Sequence, residues 1–245
     1  MRTLRIGCAL VVIAALCLRV PPAAGSAEIQ WKAILLAGDS SAPVFDNATR
    51  DLARLLERRG VRVVASFSAD RAKVSPTVPQ ATHEELRRLP TWVRPSAGEG
   101  CLFFATSHGT TKGLRLPQDP RAKILTPDEL DEIVTATCGE APTVLVISAC
   151  HSGTFIRATT MRPQRIILTA AREDRKSFGC RPERRYTFYD GCLLTELPKA
   201  ATWEDLHARV RGCITAKEAS RTDPASEPQA FIGEGMKDVP LPRAR

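Results

Sequence analysis

The chain lacks the features that several functional classes require. After Leu18 no apolar run reaches the about 20 residues of a membrane-spanning helix, so no stable span is expected in the mature protein. The formal charge is +8, but basic residues are dispersed in pairs such as Arg58-Arg59, and no dense basic run favours nucleic acid as a partner. Internal repeats and low-complexity segments are absent too. One sizeable α/β domain is the simplest expectation.

Two motif classes are also missing. Close-spaced ligand pairs of the Cys-x-x-Cys or His-x-x-x-His kind do not occur, so no metal site is expected, although zinc bound by His108, Cys150 and His151 is conceivable. The Gly-x-Ser-x-Gly elbow of serine hydrolases is absent. Ser152 is therefore not expected to be a nucleophile.

The first residues have the layout of a secretory signal peptide. Residues 1–5 are basic, residues 6–18 are apolar, and residues 21–27 hold helix breakers and small residues that suit cleavage. We therefore expect residues 1–27 to be removed and residues 28–245 to form the mature domain, periplasmic or secreted. An uncleaved anchor is the less favoured alternative, because the apolar run is short. Nothing in the sequence indicates an oligomeric state.

Six cysteines follow the predicted signal peptide: Cys101, Cys138, Cys150, Cys180, Cys192 and Cys213. In an oxidising compartment cysteines tend to pair. If Cys150 stays free, at least one other cysteine is unpaired. Cys180 and Cys192 bracket a polar loop, and we predict a disulfide between them. The alternative for Cys101 and Cys213 is that they are small buried apolar residues.

Apolar patterning predicts an α/β protein with a mainly parallel sheet of about six strands between two helical layers. A βαβ unit opens the domain, and a late apolar segment is suited to an edge strand. The predicted strands are 31–37, 61–65, 101–107, 144–149, 165–170 and 228–233, and the predicted helices begin near Asp46 or Asn47, at Thr82, at Thr126, and near residues 191 and 202.

Two of these strands end in reactive side chains. His108 follows the strand 101–107, and Cys150 follows the strand 144–149. α/β enzymes place catalytic groups at the carboxyl ends of parallel strands, and His with Cys can supply a thiolate nucleophile and a proton donor. The backbone N–H groups of Gly109 and Cys150 are candidates for stabilising an oxyanion. The pattern predicts a cysteine hydrolase.

The other three histidines are weaker candidates than His108. His151 is adjacent to Cys150, but in an extended segment its side chain would point away from the thiol. His83 and His207 fall in helical patterns and are expected at the surface. The alternative to catalysis is that Cys150 is an inert buried thiol and His108 a structural polar residue.

The segments Ser107-His108-Gly109 and Ser148-Ala149-Cys150-His151-Ser152-Gly153, each after an apolar strand, resemble the legumain family of cysteine peptidases in its bacterial exported branch, with caspases as wider relatives. The resemblance spans about residues 30–235. Further landmarks occur in family order: Leu36-Ala37-Gly38-Asp39, Leu168-Thr169-Ala170-Ala171-Arg172, Ser177-Phe178-Gly179, Tyr186-Thr187-Phe188, and residues 228–233.

The resemblance implies a caspase-like fold in which Cys150 is the nucleophile and His108 the general acid. It implies a peptide or protein substrate, an S1 pocket beside this pair, and no metal or organic cofactor. The chain departs from the asparaginyl enzymes at Ser148, where they carry an acid that shapes S1. Asn47 and Arg50 stand near the position of a substrate-binding arginine.

Three acids in predicted loops, Glu173, Asp174 and Asp190, could favour a basic P1 residue, although solvated charge beside neighbouring arginines is the preferred interpretation. Two alternatives to hydrolysis stay open. One is a catalytically silent binding or scaffolding domain of the same fold. The other is a transamidase, in which an amine replaces water at the acyl-enzyme.

Overall fold

The computed structural model describes residues 29–61, 63–89, 93–120, 123–237 and 239–242. The predicted signal peptide lies outside these residues. The strands are β1 Gln30–Ala37, β2 Val63–Ser68, β3 Glu99–Thr106, β4 Gly109–Thr110, β5 Gly113–Arg115, β6 Ile124–Leu125, β7 Thr143–Ser148, β8 Arg165–Thr169 and β9 Gln229–Ile232. The helices are α1 Val44–Arg58, α2 His83–Arg87, α3 Pro127–Cys138, α4 Phe188–Glu196 and α5 Trp203–Glu218.

A six-stranded sheet forms the centre of the protein, in the order β2-β1-β3-β7-β8-β9. All neighbouring pairs are parallel except β8 and β9, so the prediction of a mainly parallel sheet with a late edge strand is confirmed. The carboxyl ends of β1, β3, β7 and β8 therefore meet at one edge of the sheet. Loops that leave this edge can place side chains from distant parts of the chain side by side.

The sheet is covered by helices on both faces, because its central strands are apolar on both sides. Successive β3 residues alternate between the two layers: Phe104 packs with α1, α4 and α5, and Phe103 packs with α2 and α3. The strand period of two separates these two cores cleanly. The three-layer α/β/α prediction is confirmed.

Local capping signals set several helix starts. Thr126 begins α3 with a capping box, in which its side chain accepts from the Glu129 N–H and Glu129 bonds back. Thr82 caps α2 by accepting from the Glu85 N–H. The start predicted for α1 is wrong, since the helix begins at Val44 with Pro43 at its N-cap, and Asp46 lies inside its first turn.

The disulfides differ from the prediction. Cys101 pairs with Cys138, Cys192 pairs with Cys213, and Cys150 and Cys180 are free. The predicted Cys180–Cys192 bridge is therefore wrong, because α4 and α5 pack together and bring Cys192 to Cys213 instead. The alternative that Cys101 and Cys213 are simply small buried apolar residues is also wrong, because both form disulfides.

The surface placement expected for His83 and His207 is also incorrect. His83 is buried, with Nδ1 at 2.8 Å from Asp119. His207 is half-buried, and burial lowers its pKa to about 4. Of the helices in the described residues, none has the length and apolarity needed to cross a membrane.

Candidate active site

The ends of β3 and β7 place His108 and Cys150 in matching positions. Thr106 of β3 is the partner of Ser148 in β7, and the Ser107 N–H donates to the Ser148 carbonyl at 3.2 Å. His108 and Cys150 each follow two residues beyond that last pair. The sheet register therefore brings the two side chains to the same point on its carboxyl edge.

Gly109 lies directly against the backbone of Cys150. A Cβ atom at position 109 would be 2.1 Å from the Cys150 carbonyl oxygen and 2.9 Å from the Cβ of Ala149. Only glycine permits this approach without a backbone shift. The small sheet β4-β5-β6 supports it, since the Arg115 N–H donates to the His108 carbonyl at 2.9 Å.

The imidazole of His108 is held by the loop that follows β1. Its Nε2 lies 3.2 Å from the Ser41 hydroxyl, and its ring meets the Phe45 ring edge-on, with centroids 5.3 Å apart. Ser41 is itself fixed, because its N–H donates to Asp39 at 2.7 Å. Three groups from one loop and the start of α1 thus orient the histidine.

The thiol of Cys150 is held by the loop that follows β8. The Ser177 N–H donates to Sγ at 3.3 Å, and Sγ lies 3.4 Å from the Ser177 carbonyl. Thiol and imidazole are not hydrogen-bonded to each other, although both belong to the described residues.

The segment that carries Cys150 and His151 is a turn and not extended, so the extended geometry predicted to point His151 away from the thiol is wrong. His151 has a φ of 58°, in the left-handed region. Its Nδ1 lies 2.9 Å from the Glu173 carbonyl, and its backbone N–H donates to Arg175. The side chain is bound to the loop after β8, so the conclusion that it is not the partner of Cys150 stands on a different reason.

Asp190 and Ser148 lie beneath this site and not on an open loop. Asp190 is completely buried in the first turn of α4, where it accepts from the Thr106 hydroxyl at 2.8 Å. Burial raises the pKa of its carboxyl to about 6, against hydrogen bonds from Ser148, Thr106 and Thr187 that lower it. The expectation that Asp190 is a loop acid is therefore corrected.

Asn47 and Arg50 are not brought to His108 or Cys150. Arg50 donates to the Asn47 side chain at 2.9 Å, and Asn47 donates to the Arg185 carbonyl at 3.2 Å. Arg50 also contacts Asp51. The two residues connect α1 to the loop before α4, and no contact in the described residues places them at the thiol.

The free thiol of Cys180 lies close to this site. It packs against Ala37, Ala42, Val44 and Phe45. Burial raises its pKa to about 12, and the neighbouring Cys150 adds to that rise. Cys180 is therefore a thiol at neutral pH and a poor nucleophile.

Three positioning groups were not identified from the sequence: Ser41, Phe45 and Ser177. Ser177 stands in a segment recognised as a family landmark, and Ser41 follows the first strand. Ser41 and Phe45 follow β1, which is adjacent to β3, and Ser177 follows β8, which is adjacent to β7. A prediction of this strand order would have identified these residues as neighbours of His108 and Cys150. No cluster of three or more His, Cys, Asp or Glu side chains in the described ranges is arranged to hold a metal ion.

A sequence profile of the Peptidase C13 family matches residues 96–220, about half of the chain, including both His108 and Cys150. The chain belongs to the peptidase C13 family. This assignment confirms the resemblance to the legumain-type peptidases.

Structural comparison agrees with the family. The crystal structure of caspase-1 from Spodoptera frugiperda is similar, with a TM-score of 0.61 over 84% of this chain and 87% of that chain, at 16% sequence identity. At that identity the likeness shows the fold, which is caspase-like. No curated protein sequence matches the chain significantly. Family and fold together support a function of the cysteine-peptidase type.

Proposed function

We propose that the protein is a cysteine endopeptidase in which Cys150 is the nucleophile and His108 the proton-transfer group. The observation that carries this proposal is the close approach of Gly109 to Cys150, which holds the histidine-bearing turn against the cysteine-bearing turn. Hydrogen bonds from Ser41 and Ser177 orient the two side chains independently. His108 and Cys150 both lie within the family match.

The reaction follows from this placement. The Cys150 sulfur attacks the peptide carbonyl carbon and gives up its proton to His108, while the carbonyl oxygen becomes an oxyanion. Backbone N–H groups of Gly109 and Cys150 are assigned to stabilise that oxyanion. The C–N bond then breaks as His108 protonates the leaving amine, which leaves a thioester. Water attacks the thioester, and the proton it loses returns through His108 to the sulfur.

Fluorogenic peptides that vary only at P1 test the proposal, together with a thiol-reactive peptide probe. We expect turnover and labelling of the wild-type protein, and loss of both in Cys150→Ala. Cys180→Ala is the matched control, because it removes the other free thiol and should keep both signals. Absence of turnover with every P1 residue, combined with no labelling of Cys150, would overturn the assignment.

Hydrolysis and transamidation are separated in the same assay. Adding a free amine nucleophile, such as glycinamide, should leave the hydrolysis product dominant if water resolves the thioester. A dominant amide product would show that the protein is a transamidase. Binding of the peptide without turnover would favour the scaffolding alternative.

We propose further that residues 1–27 are a signal peptide and that the mature protein is periplasmic or secreted. The basic, apolar and small-residue order of this segment supports the proposal. Two disulfides in the folded domain support it as well, since disulfides persist in oxidising compartments. Amino-terminal sequencing of the exported product should show a start at residue 26 or 28; a cytoplasmic product with an intact amino terminus would contradict export.

A further inference from the structure

A positively charged surface adjoins the candidate active site. It consists of Arg184, Lys217 and Arg221, arranged around the rings of Phe178 and Phe188, and is called the basic rim here. The Arg184 guanidinium lies 4.7 Å from the Phe188 centroid, and the Lys217 ammonium lies 5.8 Å from it. The Arg221 guanidinium lies 3.9 Å from the Phe178 centroid. Cation–π contacts hold the three charges in place.

The basic rim is continuous with the residues that hold the Cys150 thiol. Ser177 bonds to Sγ through its backbone N–H, and Phe178 is the next residue in the chain. The Phe178 ring contacts the Phe188 ring, with centroids 6.4 Å apart. A peptide that crosses Cys150 and continues past Ser177 would therefore run onto the basic rim.

Two of the three cations in the basic rim lack a carboxylate partner, and the third has one. Arg221 is paired with Asp223. In the part of the chain that the structure describes, Arg184 and Lys217 have no carboxylate partner, and both are exposed. Two like charges around one ring repel each other, and an anionic group bound between or beside them would relieve that repulsion.

The acids near the site do not offset this charge. Asp174 is paired with Arg172 at 2.6 Å, which lowers the pKa of the Asp174 carboxyl to about 2. Asp190 is buried beneath the strand ends. Glu173 is exposed on the loop that bonds to His151, and the exposed Lys176 of the same loop offsets its charge; neither has an ion-pair partner among the described residues. The surplus charge beside the thiol is therefore positive, which does not favour the basic P1 residue raised for these acids.

We propose that the basic rim binds aspartate or glutamate side chains of the substrate, so that the protein selects acidic peptide segments beside the cleaved bond. This inference rests on the proposed peptidase function and adds a substrate class to it. Arg184 and Lys217 supply the charge, and the Phe188 ring, which contacts Phe178 beside Ser177, holds their side chains near the cleavage site. Exposed charges of this kind mainly speed the encounter with the substrate and strengthen its binding. We therefore expect them to lower KM for acidic peptides, and this effect should weaken as salt is raised.

The test uses two quenched peptides with the same P1 residue, one flanked by aspartate and glutamate and the other by asparagine and glutamine. In the wild-type protein we expect kcat/KM to be about tenfold higher for the acidic peptide at low salt. The advantage should shrink as salt is raised. In Arg184→Gln/Lys217→Gln the acidic advantage should disappear through KM, with the neutral peptide cleaved as before.

Arg58→Gln/Arg87→Gln is the matched control, because it removes the same charge from the exposed residues Arg58 on α1 and Arg87 on α2. This control variant should keep the higher kcat/KM for the acidic peptide over the neutral one. Equal cleavage of the two peptides by the wild-type protein, or an equal loss in both double variants, overturns the inference.

A binding measurement keeps this inference separate from the peptidase proposal. Fluorescence anisotropy of the rhodamine-labelled acidic peptide on Cys150→Ala should show tighter binding than on Cys150→Ala with both rim substitutions. Selective binding without turnover in the wild-type protein would retain the basic rim and reject the peptidase. Turnover without selective binding would support the peptidase and reject the basic rim.

Discussion

Gly109 passes so close to Cys150 that any side chain at position 109 would overlap the Cys150 carbonyl, at 2.1 Å from a Cβ atom. Gly109→Ala must therefore push the histidine-bearing turn away from the cysteine-bearing turn. Displacement of about 1 Å between reacting groups costs about 100-fold in rate. We expect kcat/KM of Gly109→Ala to fall by about that factor in the fluorogenic peptide assay.

Gly212→Ala is the control for this prediction. Gly212 lies in α5, and a Cβ atom there would have no neighbour within 4 Å. Alanine should stabilise the helix by about 0.5–1 kcal/mol and leave activity unchanged. Wild-type activity in a folded Gly109→Ala protein would show that the close approach is not needed for catalysis.

Ser41 orients His108 through a single hydrogen bond of 3.2 Å. Ser41→Ala removes that bond, and a hydrogen bond of this kind contributes about 1 kcal/mol, or about fivefold in rate. We expect kcat to fall by about fivefold while KM changes little. Ser40→Ala alters the exposed neighbouring residue and should retain wild-type kcat. An equal fall in both variants would attribute the effect to the loop and not to the bond.

Asp190 should give the protein a specific dependence of stability on pH. Burial raises its folded-state pKa from 3.8 to about 6, so the folded protein binds a proton that the unfolded chain has released. That contribution to stability is present below about pH 4 and is lost as pH rises through 6. An asparagine side chain cannot ionise, so the free energy of unfolding of Asp190→Asn relative to the wild type should rise by about 2 kcal/mol between pH 4 and pH 7.

Urea unfolding at several pH values measures this difference. Asp205→Asn is the control with the opposite sign, because the pKa of the half-buried Asp205 is lowered by the Ala201 N–H and by Arg209. Loss of the Asp205 carboxylate should lower the free energy of unfolding slightly near neutral pH. Below the pKa of Asp205 it should have no such effect. Parallel curves for Asp190→Asn and the wild type would rule out ionisation of Asp190 within this range.

The disulfide pattern predicts different costs for different cysteines. Cys192 and Cys213 close a loop with a sequence separation of 21 residues between two packed helices. Cys192→Ala/Cys213→Ala should lower the free energy of unfolding by about 3 kcal/mol, chiefly because the unfolded chain gains freedom. Cys180→Ala removes a free thiol and should have a smaller effect. Non-reducing peptide mapping checks the pairing directly, and a linked Cys180–Cys192 peptide would contradict it.

Local and periodic features of the fold were predictable from the sequence. The apolar run at 101–107 predicted a strand, and its successive side chains divide between the two cores. Thr82 and Thr126 cap helices through N–H groups only three residues ahead, so the signal and the structure occupy the same short segment. The start of α1 was misplaced because Asp46 resembles a cap but bonds to Ser68 and Lys73, far along the chain.

The amino-acid sequence by itself determined the strands of the six-stranded sheet, the capped helices, and a histidine and a cysteine at two strand ends, because these features depend on neighbours a few residues apart. The short strands β4, β5 and β6 were not predicted. Only the tertiary structure decided the partners across long separations. It placed Ser41 on His108, Ser177 on Cys150, and Cys213 on Cys192. Such contacts depend on the order and register of strands and on helix packing, which no local pattern encodes.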